Sequence, residues 1–142
     1  MVLTRIYLFE IYIYMKEYDY WSFWTSLLLF PLGCYLYSVP GYPKSISILV
    51  IILGVVATLH HTRSYEDEHN DIIRWLDYIV ALLLGGCLFY YYYDKVSFWV
   101  LGIIGFIIKT KMYLSEKTEE KSLIDALLHL YVICSLLYSV HT

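Results

Sequence analysis

Long apolar runs alternate along this chain with short polar breaks. A hydrocarbon core about 30 Å thick takes roughly 20 predominantly apolar residues of helix to cross. Five runs meet that length: residues 20–39, 43–61, 72–93, 96–114 and 123–140. Between them lie Pro40, Gly41 and Pro43; the polar island HHTRSYEDEHND at 60–71; Asp94 and Lys95; and SEKTEEKS at 115–122. The runs are too long, and too free of apolar/polar alternation, to be the strands of a closed barrel. The pattern predicts an all-α, multi-pass transmembrane helix bundle of about five spanning helices. No stretch reads as a linker and no repeat is evident, so residues 1–142 are expected to form one domain.

The first nineteen residues, MVLTRIYLFEIYIYMKEYD, break this pattern. Arg5, Glu10 and Lys16 interrupt the apolar positions, which predicts a helix lying at the membrane interface rather than one crossing it. A secretory signal would carry a longer uninterrupted apolar stretch and a small-residue cleavage site.

Composition turns the pattern into a statement about solvent. Hydrophobic residues make up 60% and charged residues only 16% of the chain, and the mean hydropathy is +0.59, outside the range of ordinary water-soluble domains. The bilayer is therefore the expected partner of most of the surface. The net charge of −3 is spread over short loops and supplies neither a nucleic-acid-binding stripe nor an acidic tail. Cys34, Cys87 and Cys134 fall inside apolar runs without C-x-x-C spacing and read as small buried hydrophobes. The 17 tyrosines, with Tyr90 to Tyr93 closing the third run, suit rings held at the headgroup level. Gly54 and the pair Gly85 and Gly86 read as close-packing positions, and Ser135 and Ser139 as interhelical hydrogen-bonders.

Lysine and arginine set the expected orientation. Arg5, Lys16, Arg63, Arg74, Lys109, Lys111, Lys117 and Lys121 fall on one side and only Lys44 and Lys95 on the other. Eight against two places the N-terminus on the cytoplasmic side and the C-terminus opposite.

This topology brings candidate chemistry to one depth. The second run ends in His60 and His61, the third carries Asp77 within its first two turns, and the fifth carries Asp125 and His129, four residues apart on one helical face. Ionisable groups inside a membrane are costly and are functional candidates by default. Each also has a plainer explanation. Ser122 and Asp125 could form a capping box, Asp77 could pair with Arg74 on its own helix, and either histidine at 60–61 could complement the negative end of a helix dipole. His129 is the least easily explained this way. Which of His60 and His61 faces the cluster stays open.

The residues HTR at 61–63, LDY at 76–78 and DALLHL at 125–130 resemble motifs of the CREST-type membrane hydrolase superfamily. That superfamily includes alkaline ceramidases, progestin and adipoQ receptors and Per1-like proteins, and the Per1-like group is the nearest. The resemblance implies zinc held by His61 and His129, with Asp77 assisting hydrolysis of an acyl amide or ester bond in a membrane lipid. The chain departs from the family pattern at several points: Ala57 stands where a serine is expected, Asp125 replaces the first histidine of the last pair, the loop before Asp77 is longer, and five runs replace seven helices. Thr58, one turn from His61, offers a hydroxyl instead. Zinc accepts two imidazoles and a carboxylate, so His61, Asp125 and His129 form a chemically acceptable ligand set. The expected function is a zinc-dependent intramembrane lipid hydrolase. The alternative is a non-catalytic accessory or structural membrane protein derived from that family, and a proton carrier is a third, weaker reading.

Overall fold

The computed structural model describes residues 20–61, 71–115 and 118–141, together with Arg5, which is helical and exposed. Expectations for the rest of 1–19, for the island at 62–70 and for 116–117 lie outside the described residues. Every element among the described residues is a helix: α1 Tyr20–Leu27, α2 Leu29–Ser38, α3 Lys44–His61, α4 Asp71–Tyr92, α5 Val96–Leu114 and α6 Thr118–Ser139.

Four of these helices are long and apolar enough to cross a membrane: Lys44–His61, Ile72–Tyr92, Val96–Leu114 and Glu120–Ser139. Their surfaces support the same environment. Ile72, Leu82, Val96, Phe106 and Leu114 are each more than 70% exposed, and α5 has no buried residue at all. Water would penalise so much contiguous apolar surface, whereas hydrocarbon does not. These features describe an integral membrane protein.

The run at 20–39 is not one helix. It divides at Leu28, three residues before Pro31. A continuous helix would need the residue 31 amide to donate to the Leu27 carbonyl, and proline has no N–H to give. The Leu28 amide instead bonds back to Thr25 O at 3.2 Å. Pro31 then sits in the first turn of α2, where its missing donor costs nothing.

α2 and α3 form a tight antiparallel pair. Gly33 lies so near α3 that a Cβ there would come within 2.8 Å of the Ile51 amide nitrogen, and one on Gly54 within 2.8 Å of the Phe30 nitrogen. Gly54 is thus a close-packing glycine, as its place in an apolar run suggests. Gly85 and Gly86 are not, since a Cβ on either would meet nothing within 4 Å. The turn between α2 and α3 is built by Pro40 and Gly41. Gly41 has φ +78° and the Tyr42 amide bonds to Val39 O, the arrangement of a type II turn, which needs a positive φ at its third residue.

That turn delivers Tyr42 into the core. Tyr42 is buried with Leu29, Leu32, Leu36, Ile46, Val50, Leu84 and Leu136, and its phenol meets Ser139 Oγ at 2.8 Å. Burial pushes its pKa up to about 12. α4 lies along α3, α1 packs on α6 and α3, and α5 packs on α6, where Tyr131 donates to the Leu101 carbonyl at 2.6 Å. Ser139 bonds across the bundle as expected. Ser135 instead donates to Tyr131 O within its own helix. Cys34 and Cys134 are exposed rather than buried, because they lie on outward, apolar-lined faces of α2 and α6. Tyr90, Tyr91 and Tyr93 are exposed at the end of α4.

Candidate metal centre

The opposite end of the bundle gathers the polar side chains. Four helix ends meet there: the start of α1, the C-terminal turn of α3, the early turns of α4 and the early turns of α6. Successive helical residues point about 100° apart, so the pair ending α3 cannot serve one neighbour. His60 turns toward α4 and places Nδ1 2.9 Å from Asp77 Oδ2. His61 turns toward α6 and places Nε2 3.3 Å from Asp125 Oδ2. The two rings stack with centroids 4.9 Å apart and 12° between planes.

α6 supplies the other half. It begins at Thr118, five residues before the apolar run suggests, because Glu120 and Lys121 continue the helix as readily as apolar residues. Ser122 therefore lies inside the helix and cannot cap it, which overturns the capping-box reading of Asp125. The Asp125 carboxylate lies instead between two imidazoles, with Oδ2 3.3 Å from His61 Nε2 and 3.7 Å from His129 Nε2. The His61 and His129 rings meet edge to face at 5.4 Å. Asp77 takes its described bond from His60, and Arg74 lies over Tyr78, donating to its hydroxyl at 3.1 Å.

One ligand atom from each of His61, Asp125 and His129 lies within 4.8 Å of the others. Tetrahedral zinc bonded at about 2.0–2.2 Å holds its ligands roughly 3.3–3.6 Å apart. The two distances to Asp125 already match that spacing or nearly so, and the donor set of two imidazoles and a carboxylate is one that zinc accepts. All three side chains are at most 14% exposed, so water competes poorly for them.

Residues from α1 complete the surroundings. Ser22, Thr25 and Ser26 are all buried. Thr25 Oγ1 lies 2.8 Å from His129 Nδ1, and Ser22 donates to the Ser122 carbonyl at 3.1 Å. Ser26 Oγ is 3.3 Å from Thr58 Oγ1. These three were not among the residues singled out from the sequence, although polar positions at i, i+3 and i+4 in an otherwise apolar run mark one helical face turned inward. Thr58 lies beside the cluster, and its hydroxyl donates to the Gly54 carbonyl at 2.6 Å. Ala57 is buried one turn before His61.

Comparison of the chain with protein-family models, with curated proteins and with solved structures finds no match.

Proposed function

We propose that this protein is a zinc-dependent hydrolase of the bilayer, of the CREST type and nearest in motif to the Per1-like group, which cleaves an acyl amide or ester bond of a membrane lipid. The observation that carries this reading is the meeting of His61, Asp125 and His129 within 4.8 Å from two distant parts of the chain. These residues would hold zinc, which when bound polarises a carbonyl and makes water a nucleophile near neutral pH. Asp77, oriented by His60, takes and returns the proton. Thr58 contributes to the developing oxyanion by turning its hydroxyl away from Gly54.

An apolar cavity of about 230 Å³ between α4, α5 and α6 supports a lipid substrate. It is lined by Leu88, Phe98, Leu101, Leu128, Val132 and Leu136 and reaches Ser139 at the far end of α6, and no side chain of the polar cluster lines it. In this reading the α1–α2 unit at 20–38 is the fifth crossing, and the polar cluster faces the cytoplasmic leaflet with the C-terminus opposite, following the eight-to-two distribution of Lys and Arg.

The test is to purify the protein in detergent, count bound zinc, and assay fatty-acid release from ester- and amide-linked lipids. Stoichiometric zinc that disappears in His61→Ala and His129→Ala, together with turnover, is the expected result. Substoichiometric zinc unchanged by either substitution would end the proposal.

A second reading is favoured by Ala57 and by the way each polar side chain is already satisfied by a neighbour. Here the cluster only fixes helix packing in an accessory or structural membrane protein. His61→Ala and Asp77→Ala would then lower stability, and no lipid turnover would exist to be lost.

A further inference from the structure

We infer that Thr25 is a positioning residue for the metal centre, fixing the tautomer in which His129 presents a lone pair to the ion. The inference takes its ligand set from the function proposed above. Its own basis is the hydrogen bonding of one buried hydroxyl.

A histidine can ligate through Nε2 only if its ring proton is on Nδ1, and that placement is set by what Nδ1 touches. His129 Nδ1 faces Thr25 Oγ1 at 2.8 Å. The Thr25 hydroxyl has a single proton and two carbonyls of its own helix within reach, Trp21 O at 2.9 Å and Ser22 O at 3.2 Å. A threonine inside a helix commonly donates back to the carbonyl four residues earlier. With its proton engaged there, Thr25 Oγ1 is left as an acceptor, and the His129 Nδ1–H donates to it.

The other side of the ring agrees. Nε2 is 3.7 Å from Asp125 Oδ2, too long for a hydrogen bond, so the carboxylate does not hold a proton on Nε2. A ligand atom from each of His61, Asp125 and His129 lies within 4.8 Å of the others, so a lone pair on His129 Nε2 is available to a cation they would share. Thr25 is 8% exposed, so water is a poor substitute for its oxygen. Such partners of metal-bound histidines typically alter metal affinity by about 10–100-fold when removed.

The experiment compares wild type, Thr25→Val and Thr25→Ser, purified in detergent, by two measurements. In zinc-free protein, the ¹⁵N shifts of His129 are expected to show Nδ1–H in wild type and Thr25→Ser, and a mixed or Nε2–H ring in Thr25→Val. In zinc titrations, Thr25→Val is expected to bind about 10–100-fold more weakly, with Thr25→Ser close to wild type. Valine has nearly the shape of threonine, and thermal unfolding of each variant checks that the fold persists. An unchanged tautomer in Thr25→Val, or zinc affinity equal to wild type, would overturn the role of Thr25. A wild type with no zinc affinity would overturn the metal centre itself, while the tautomer measurement would still decide the role of Thr25.

Discussion

His60 and His61 are neighbours in the chain and stack on one another, yet they answer to different helices. His60 bonds to Asp77 on α4 at 2.9 Å, and His61 approaches Asp125 on α6 at 3.3 Å. The two are therefore separable by substitution. His61→Ala is expected to abolish zinc binding, whereas His60→Ala keeps zinc and loses the Asp77 contact. Metal analysis of the two variants side by side distinguishes these outcomes, and equal zinc loss in both would contradict the division of labour.

Asp77→Asn preserves the shape of the side chain and removes its capacity to accept a proton. In the proposed hydrolase it lowers turnover by about 10²-fold or more while zinc content stays at the wild-type level. Stopped assays of lipid cleavage alongside metal counting separate this from a folding defect.

The glycine contacts give a prediction independent of function. Gly33→Ala and Gly54→Ala each drive a Cβ against the backbone of the facing helix, which cannot swing aside as a side chain could. Each is expected to cost about 1–3 kcal/mol. Gly85→Ala and Gly86→Ala meet open space and are expected to be neutral, or stabilising by up to about 1 kcal/mol from helix propensity alone. Reversible unfolding in mixed micelles measures both pairs.

Tyr42→Phe removes the hydroxyl that joins the α2–α3 turn to Ser139, at a cost of about 1 kcal/mol. The same phenol predicts a pH dependence. Burial raises its folded pKa to about 12 from an ordinary value of 10.0, so folding favours the protonated form. That contribution is complete below pH 10 and is lost as pH rises through about 12. Ultraviolet titration of tyrosinate should show a late-ionising group in wild type that is missing from Tyr42→Phe.

The apolar runs made four helices long and apolar enough to cross a membrane legible, because run length alone decides whether a helix can reach across hydrocarbon. The division at Leu28 was also written in the sequence, in Pro31, but apolarity continues unbroken through it and conceals it. Helix α6 starts earlier than its apolar run because helix formation does not require apolar residues, and this shift of start is what removes Asp125 from a cap and places it between histidines. The direction of His60 against His61 depends on the rotation of α3 about its axis, which no single-chain pattern fixes when both neighbours offer a carboxylate. The partner of His129 was hidden for a different reason. Thr25 lies 104 residues away, and a hydroxyl in a membrane helix usually satisfies itself on its own backbone, so it signals little until the two helices are seen together.

Pro31 has one more effect on this molecule. The piece that carries Ser22, Thr25 and Ser26 and the piece wedged onto α3 by Gly33 and Gly54 are joined at a joint that lacks one rung of the ladder. The two limbs are accordingly anchored by different means, the upstream one by hydroxyls that reach the Ser122 carbonyl and His129 on α6, the downstream one by backbone contact with α3.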